Sequence, residues 1–153
     1  ITYKPIEDFN IIAGYSYNDM RYTKTTGATG SFIEGDRLVR TPQHTANLSF
    51  FYTVQTGVLK NVSVGAIGNY IGDRLGGWNN QVNPAYPNGI WDREIPVNGY
   101  TTIDVSLGYN WKQFSLLCKL SNITNELNYT LHENYSVNPI APRQILTSLR
   151  YKF

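Results

Sequence analysis

Arginine and aromatic side chains recur in three segments that are otherwise rich in Gly, Pro, Thr and Asn. The planar guanidinium of Arg forks onto carboxylate or catecholate oxygens, and aromatic rings supply flat contact area. Together they indicate a binding site for a flat, anionic, chelated ligand. The alternative is that these residues pack the segments themselves or form an interfacial aromatic belt. The candidate ligand-binding residues are Arg37, Arg74, Trp78, Tyr86, Trp91, Arg93 and Tyr135, with Arg40 close to the first.

The residue types that most often perform catalysis or bind metals form no recognisable constellation. The sequence lacks a Gly-x-Ser-x-Gly elbow and a His-Glu-x-x-His motif. Its two histidines, His44 and His132, are far apart in the sequence, and Cys118 is its single cysteine. We therefore predict no catalytic residue, no metal site and no resident cofactor.

The composition favours a protein built from strands. Charged residues make up 16% of the 153 residues, below the ~25% that is usual for soluble domains. Aromatic residues make up 14%, with 12 tyrosines, yet the mean hydropathy is −0.33. No apolar run approaches the ~18 residues of a membrane-spanning helix, so any membrane signal must lie in alternation. The net charge of +2 is too small to predict binding to nucleic acid.

Residues 143–153 alternate between apolar and polar side chains, which is the pattern of a strand with one apolar and one polar face. This period fits a soluble sheet and a membrane barrel equally well. The apolar set closes on two aromatic residues, and in this respect the segment resembles the terminal strand of a bacterial outer-membrane β-barrel. The apolar set is Ile145, Thr147, Leu149, Tyr151 and Phe153.

The same alternation predicts five earlier strands, and residues 1–3 are interpreted as the stub of another. The predicted strands are residues 9–18, 44–54, 62–70, 101–111 and 114–121. Short turns are predicted at residues 4–8, 55–60 and 112–113, and long loops at residues 19–42, 71–98 and 122–142.

The connections between the predicted strands alternate between long and short, so all long loops fall at one end. Outer-membrane barrels have this arrangement, with short periplasmic turns and long extracellular loops. Six strands are too few to close, since the smallest membrane barrels use about 8 and open edges in lipid would leave backbone groups unpaired. Because the chain also opens without Met, we expect it to be part of a longer or processed chain.

Several short segments resemble TonB-dependent siderophore receptors, in the order and spacing of that family. Two positions depart from the family's pattern. Val97-Asn98 stand where its Pro-Gly-Tyr-x-x-x-Asp segment commonly has Pro. Thr124-Asn125 replace the Phe-Asp of its Asn-Leu-Phe-Asp segment. The matching segments are PQHTANL at 42–48, GNYIGDR at 68–74, VNGYTTID at 97–104, LSNITN at 120–125 and APR at 141–143.

This resemblance implies that residues 1–153 are the C-terminal part of a receptor barrel domain, supplying the last six of about 22 antiparallel up-and-down strands. It implies an importer of ferric siderophores in the outer membrane of a Gram-negative bacterium, with iron arriving only as a chelate. Import of a sugar, a peptide or cobalamin is the alternative within the family. The implied partners are outer-membrane lipid, the remaining strands and plug domain, the TonB complex acting through the plug, the barrel-assembly machinery and the ferric siderophore.

Two further groups of residues acquire roles in this interpretation. Asp104, Lys119 and Arg150 fall on the polar, lumen-facing sides of three neighbouring strands. We expect them to form an ionic ladder that holds strand register or contacts the plug, with a direct part in solute passage as the alternative. The apolar residues at the C-terminal end of the last strand are the expected barrel-assembly signal. Its residues are Leu149, Tyr151 and Phe153.

Two other classes of protein compete with this interpretation. One is a soluble six-stranded sandwich that binds carbohydrate through Trp78 and Trp91. It requires the apolar faces of the strands to be enclosed by a second sheet. The other is a barrel enzyme, such as an outer-membrane hydrolase, in which an Asp or Ser performs the chemistry.

Overall fold

The computed structural model describes residues 1–24, 34–78, 94–132 and 136–153, and in these ranges the chain is all-β. The strands follow the predicted alternation, because every second residue of each long strand points to the same face. None of the described residues forms a helix long and apolar enough to cross a membrane. The strands are β1 (Thr2–Ile6), β2 (Phe9–Tyr17), β3 (His44–Thr53), β4 (Val62–Ile71), β5 (Arg74–Trp78), β6 (Glu94–Val97), β7 (Tyr100–Trp111), β8 (Phe114–Ser121), β9 (Tyr129–His132), β10 (Ser136–Pro139) and β11 (Gln144–Tyr151).

Seven of the described strands form one antiparallel sheet in the order β1-β2-β3-β4-β7-β8-β11. Each strand of this sheet pairs with the next one along the chain, apart from the four strands that lie in the long connections. The six predicted strands are confirmed to within about two residues at each end. The short turns β1–β2, β3–β4 and β7–β8 lie at one end of the sheet, and the long connections lie at the other. The sheet is therefore an up-and-down meander that is not closed within the described chain.

The predicted turn at residues 4–8 is wrong in part, because β1 continues to Ile6. Pro5 lies inside this strand. It is tolerated there because it lies where the β1–β2 pairing is irregular, so its missing N–H interrupts no regular ladder between these two strands. The pairing with β2 shifts register between Tyr3 and Ile6, as expected for an irregularity at proline. The observed turn is therefore confined to Glu7 and Asp8.

Two of the predicted long loops contain short ribbons of paired strands. β5 pairs with β6 inside the connection from β4 to β7, and β9 pairs with β10 inside the connection from β8 to β11. The sequence does not predict the first ribbon, because Gly76 and Gly77 in β5 and Pro96 in β6 are residue types that disfavour strands. Tertiary bonds override that preference, and one of them joins Arg40 N to Leu75 O at 2.8 Å.

The two faces of the large sheet differ in chemistry, and neither is covered by another sheet within the described ranges. Phe50, Leu107 and Tyr151 on the apolar face are 38%, 56% and 45% exposed. A sandwich core would enclose them. The structure therefore contradicts the soluble-sandwich alternative.

Aromatic residues on the apolar face lie in two rows, one near each end of the strands. In the row beside the short turns, Trp111 stacks on Phe114 with ring centroids 6.2 Å apart, and Phe114 lies 4.9 Å from Tyr151. Phe9 also belongs to this row, and Tyr17 belongs to the other. The two residues are eight positions apart along β2, so the rows are separated by about 26 Å at the usual rise per residue. Between the rows the face carries mainly aliphatic side chains. The rows comprise Phe9, Tyr52, Tyr109, Trp111, Phe114 and Tyr151 at one end, and Tyr15, Tyr17 and Tyr70 at the other.

Candidate functional site at the base of the long loops

The most buried polar residues of the described chain lie where the long loops leave the sheet. Arg74, Asn122 and Asn128 are each between 4% and 8% exposed. Leu75 is buried beside Arg74, and Val39 is buried in the loop before β3. Because buried polar groups are costly unless hydrogen bonded, this end of the sheet is the place where side-chain geometry is most strongly specified.

Arg74 joins two of the long connections through its guanidinium group. Its Nη1 donates to Asn98 O at 3.2 Å, and its Nη2 donates to Asn128 Oδ1 at 2.9 Å and to Tyr129 O. The guanidinium carbon lies 5.3 Å from the centroid of the Tyr100 ring, within the range of a cation–π contact. We call Arg74, Asn98, Tyr100, Asn128 and Tyr129 the Arg74 clasp.

Asn128 completes the clasp from the other side. Its Nδ2 donates to Asn98 O at 3.2 Å, and its Oδ1 also accepts from Tyr129 N at 2.8 Å. Its own carbonyl accepts from Ile140 N at 2.9 Å, which closes the base of the β9–β10 ribbon. Both hydrogen-bonding ends of the buried amide are therefore satisfied.

Asn122 organises the turn that follows β8. Its Nδ2 donates to Glu126 O at 3.0 Å and to Ala141 O at 2.9 Å, and its Oδ1 accepts from Glu126 N at 2.8 Å. Its backbone has φ +49°, a left-handed conformation that Asn tolerates better than most residues. The side chain thus binds the start of this long connection to its end.

The connection between β2 and β3 is tied to the same region. Arg37 Nη2 donates to Asp73 O at 3.4 Å. Asp73 in turn accepts from Gly99 N through its Oδ1 at 2.7 Å. Gly99 permits this close approach, because a Cβ atom there would lie 2.8 Å from Ile71 O. Together with the Arg74 clasp, these bonds link all three long connections at their bases.

Two of the three predicted lumen-facing charges form an ion pair. Lys119 Nζ lies 2.8 Å from Asp104 Oδ2, and Asp104 Oδ1 accepts from Asn122 N at 2.9 Å. Arg150 shares their face but pairs with Ser115, whereas Lys119 pairs with Leu146. Four residues along β11, about 13 Å, therefore separate Arg150 from the level of Lys119. Within the described residues Arg150 is therefore not part of this ion pair, and the role of the three charges in register or plug contact stays a prediction.

A polar hollow of about 350 Å³ lies on the polar face just below the loop bases. Its lining includes Tyr100 of the clasp, Asp104 of the ion pair and Asn122 of the turn. The hollow therefore connects the buried network with the wall of the sheet.

The predicted ligand-binding residues have different surroundings. Arg74 is buried in the clasp, and Arg37 is half-buried with its guanidinium on Asp73 O. The neighbouring Arg40 bonds through its backbone to Leu75 O. The backbone of Trp78 ends β5, whereas the other predicted positions lie outside the described residues. Those positions are Tyr86, Trp91, Arg93 and Tyr135.

Asp19 and Arg21 form an exposed pair in the connection after β2. Arg21 Nε donates to Asp19 Oδ1 at 3.0 Å and to Oδ2 at 3.1 Å. This hydrogen bonding is the main cause that lowers the pKa of Asp19 below 3.8. Arg21 Nη1 also donates to Gly35 O at 3.0 Å, so the pair fastens the two ends of the loop.

A family described as "TonB dependent receptor-like, beta-barrel" matches residues 2–125, which is most of the chain. The chain belongs to the TonB-dependent receptor family. The resemblance inferred from the sequence is thereby confirmed, and the seven-stranded sheet is part of a receptor barrel wall. The two aromatic rows on its apolar face correspond to the girdles that flank the lipid-facing band of outer-membrane barrels.

Curated relatives of this TonB-dependent receptor chain include receptors for metal chelates. The chain is 26% identical over 149 residues to the metal-pseudopaline receptor of Pseudomonas aeruginosa, covering 96% of the chain and 19% of that receptor. It is 24% identical over 152 residues to the ferrichrome outer membrane transporter/phage receptor of Escherichia coli, covering 94% and 18%. The chain therefore spans about a fifth of the length of the curated relatives it matches.

Solved receptor structures have the same fold over nearly the whole chain. The ferripyoverdine receptor of Pseudomonas aeruginosa superposes with a TM-score of 0.76 at 20% identity, covering 99% of this chain and 18% of that receptor. The ferric preacinetobactin receptor of Acinetobacter baumannii gives a TM-score of 0.76 at 21% identity, covering 99% and 21%. At these identities the likeness establishes the fold.

Sequence reasoning missed several residues of this site. Asn98, Tyr100 and Asn128 were not singled out as members of a polar network. Asn98, Tyr100 and Asn122 all lie in family-like segments, which do not predict their contacts. The available signal is positional: these residues lie at or next to the ends of strands, where the open backbone groups of a connection need side-chain partners.

Proposed function

We propose that the protein to which this chain belongs is an active transporter of the Gram-negative outer membrane that imports a ferric siderophore, energised through TonB. The observation that carries the proposal is the match of nearly the whole chain to receptors named for chelated metals, among them metal-pseudopaline and ferrichrome. The family occurs in the outer membrane of Gram-negative bacteria, which supports that location for this protein.

The geometry is compatible with this activity. The sheet presents an aromatic-bounded apolar face toward lipid and a polar face toward the bore, as a barrel wall requires. The ligand would be captured above the sheet, where half-buried Arg37 lies and where Arg93 and the predicted aromatic positions belong to the long connections. An arginine fork suits the carboxylate, catecholate or hydroxamate oxygens of an iron chelate.

The proposal includes several partners. The polar face would surround a plug domain, through which TonB acts, and the two open edges, β1 and β11, would pair with the remaining strands of the barrel. The barrel-assembly machinery would recognise Leu149, Tyr151 and Phe153. In the structure the Tyr151 and Phe153 rings lie 5.0 Å apart in an edge-to-face contact.

Uptake by whole cells tests the proposed function. Deletion of the gene in its host should abolish uptake of one radiolabelled ferric siderophore from a panel containing ferrichrome, ferripyoverdine and ferric preacinetobactin. A plasmid copy should restore it, and a strain lacking TonB should not transport even with the plasmid. Unchanged uptake of every chelate in the deletion strain would overturn the iron assignment.

A chelate of another metal is the second candidate substrate, because one relative is named for metal-pseudopaline. The same deletion strain should then lose uptake of zinc, nickel or cobalt chelates and keep uptake of the iron chelates. Cobalamin, a sugar and a peptide serve as the remaining competitors in this assay. We propose no catalytic activity for the protein.

A further inference from the structure

Two short ribbons lie side by side above the sheet, at its long-loop end. β5–β6 connects β4 with β7, and β9–β10 connects β8 with β11. These four long strands are consecutive neighbours in the sheet, so the bases of the two ribbons are adjacent. The first base is the pair Arg74–Val97 and the second is the pair Tyr129–Pro139.

The side chain of Arg74 starts at the base of the first ribbon and ends at the base of the second. Its Nη2 donates to Asn128 Oδ1 and to Tyr129 O, both at the start of β9. Asn128 donates back across the same gap to Asn98 O, just after β6. The connection between the ribbons is therefore reciprocal, and both side chains that form it are buried.

Direct contact between Arg74 and a ligand is disfavoured by the same geometry. Both terminal nitrogens of the guanidinium already donate to protein oxygens, and the Tyr100 ring lies against the group. Arg74 is only 5% exposed, so a ligand oxygen could reach its remaining N–H groups only by opening this buried network, which is unfavourable. A second role, the positioning of the ribbons, uses the three hydrogen bonds described for its guanidinium.

We propose that Arg74 is a positioning residue that fastens the β5–β6 ribbon to the β9–β10 ribbon, so that the two move as one body. A second consequence, which rests on the proposed function, is that the fastened ribbons hold the ligand-binding surface in one arrangement. Loss of the clasp then lets the ribbons separate, and ligand affinity falls because the surface must be ordered again at each binding event.

The distance between the ribbons tests the fastening without any ligand. Spin labels are attached to the exposed positions Ile95 and Val137, as Ile95→Cys and Val137→Cys, in the full-length receptor with Cys118→Ser and any other cysteines removed. Pulsed dipolar spectroscopy in lipid nanodiscs should give one narrow distance distribution. Arg74→Gln and Asn128→Ala should each broaden it, and Arg74→Lys should broaden it less, because a lysine keeps the charge without the fork.

A matched control separates loss of the clasp from loss of any loop arginine. Arg21→Gln removes an arginine from an exposed ion pair in another connection, and it should leave the distribution narrow. Heat-modifiable migration on gels verifies that each variant is folded. If Arg74→Gln does not fold, Asn128→Ala carries the test, since it removes the same bond and no charge.

Binding and transport test the second consequence. The probe is whichever of ferrichrome, ferripyoverdine or ferric preacinetobactin supports uptake by the wild type. Arg74→Gln should raise its Kd about tenfold and raise the KM of transport in parallel, with the maximal rate unchanged at saturation.

The outcomes separate the two proposals. Narrow distributions in both Arg74→Gln and Asn128→Ala overturn the fastening. Broad distributions together with an unchanged Kd, or with a lower maximal rate at unchanged Kd, overturn the effect on binding. Broad distributions in a receptor that transports none of the probes leave the fastening supported and count against the proposed function alone.

Discussion

Lys119 and Asp104 lie diagonally across β8 and β7 on the polar face, with Lys119 Nζ 2.8 Å from Asp104 Oδ2. The two partners are not equivalent. The other carboxylate oxygen of Asp104 accepts from Asn122 N, at the point where β8 gives way to the long connection. The lysine side chain is 37% exposed and the aspartate side chain 21%. Asp104 thus joins the wall of the sheet to the loop bases, and Lys119 supports it.

This asymmetry predicts unequal effects of removing each partner. Asp104→Ala should lower the free energy of unfolding by about 1–3 kcal/mol, because it leaves the Asn122 N–H unsatisfied. Lys119→Met should lower it by at most ~1 kcal/mol, since an ion pair exposed to this extent is screened by solvent. Urea unfolding of the full-length receptor in lipid vesicles measures both.

The pair can also be assigned its own coupling energy. A double-mutant cycle of the two substitutions should give a coupling below ~1 kcal/mol. Arg150→Met on the same face is the matched control and should change stability little. A coupling above ~3 kcal/mol would mean that the pair is far more desolvated than the structure indicates.

Asn122 should be the most sensitive position of the turn after β8. Asn122→Ala is expected to lower the free energy of unfolding by about 2–4 kcal/mol, because it orphans the groups that the amide binds and places Ala at φ +49°. Asn122→Gly should be milder by about 1 kcal/mol, since Gly adopts this φ without strain. Urea unfolding compares the two variants.

Asn125 provides the control for this prediction. It has φ +52° in the same turn, but it is exposed and its Oδ1 accepts a single bond from Arg143 N. Asn125→Gly should therefore lower stability by less than ~1 kcal/mol. If both glycine variants were equally destabilised, the burial of the Asn122 side chain would not be the cause.

The large sheet could be predicted from the sequence, because alternation and short turns are local signals. A strand such as β7 shows its two faces in its own residues. The strand register is not local. It is set by backbone pairing between strands, and for that reason the sequence does not show that Arg150 lies four residues from the level of Lys119.

The polar network at the loop bases was harder to predict for a related reason. The sequence predicts Arg74 to be a ligand-binding residue together with Arg37 and Arg93, because residue type does not reveal whether a guanidinium is buried. Its acceptor Tyr129 O lies 55 residues away in the sequence. Likewise, the ribbons depend on bonds to other connections that outweigh the poor strand propensity of Gly76, Gly77 and Pro96.

The exposed pair of Asp19 and Arg21 predicts a titration at low pH. Because the pKa of Asp19 is held below 3.8 in the folded state, its stabilising effect on the loop is present above about pH 4 and is lost as the pH falls through the folded-state pKa. Arg21→Gln should move the pKa of Asp19 upward toward its ordinary value. Carboxyl carbon NMR of the full-length receptor measures this, with Asp19→Asn used to assign the signal. An unchanged pKa in Arg21→Gln would remove Arg21 as the cause.

Cys118 offers a native probe of which face meets lipid. It is free and exposed on the apolar face, between Leu107 and Thr147 of the neighbouring strands. In cells whose receptor keeps no other cysteine, a membrane-permeant maleimide carried in the lipid phase should label Cys118. A charged, water-soluble maleimide should not, because hydrocarbon covers this face of a barrel.

The opposite face supplies the comparison for this labelling. Ser106 lies on the polar face of β7, one residue from Leu107. Ser106→Cys in a Cys118→Ser receptor should react with the water-soluble reagent in the folded receptor, and should be protected from the lipid-phase reagent in the membrane. Side chains of adjacent strand residues point to opposite faces, so reversal of the two labelling patterns would require the whole sheet to be turned over. That single result would place the polar face against lipid and remove the physical basis of the barrel wall.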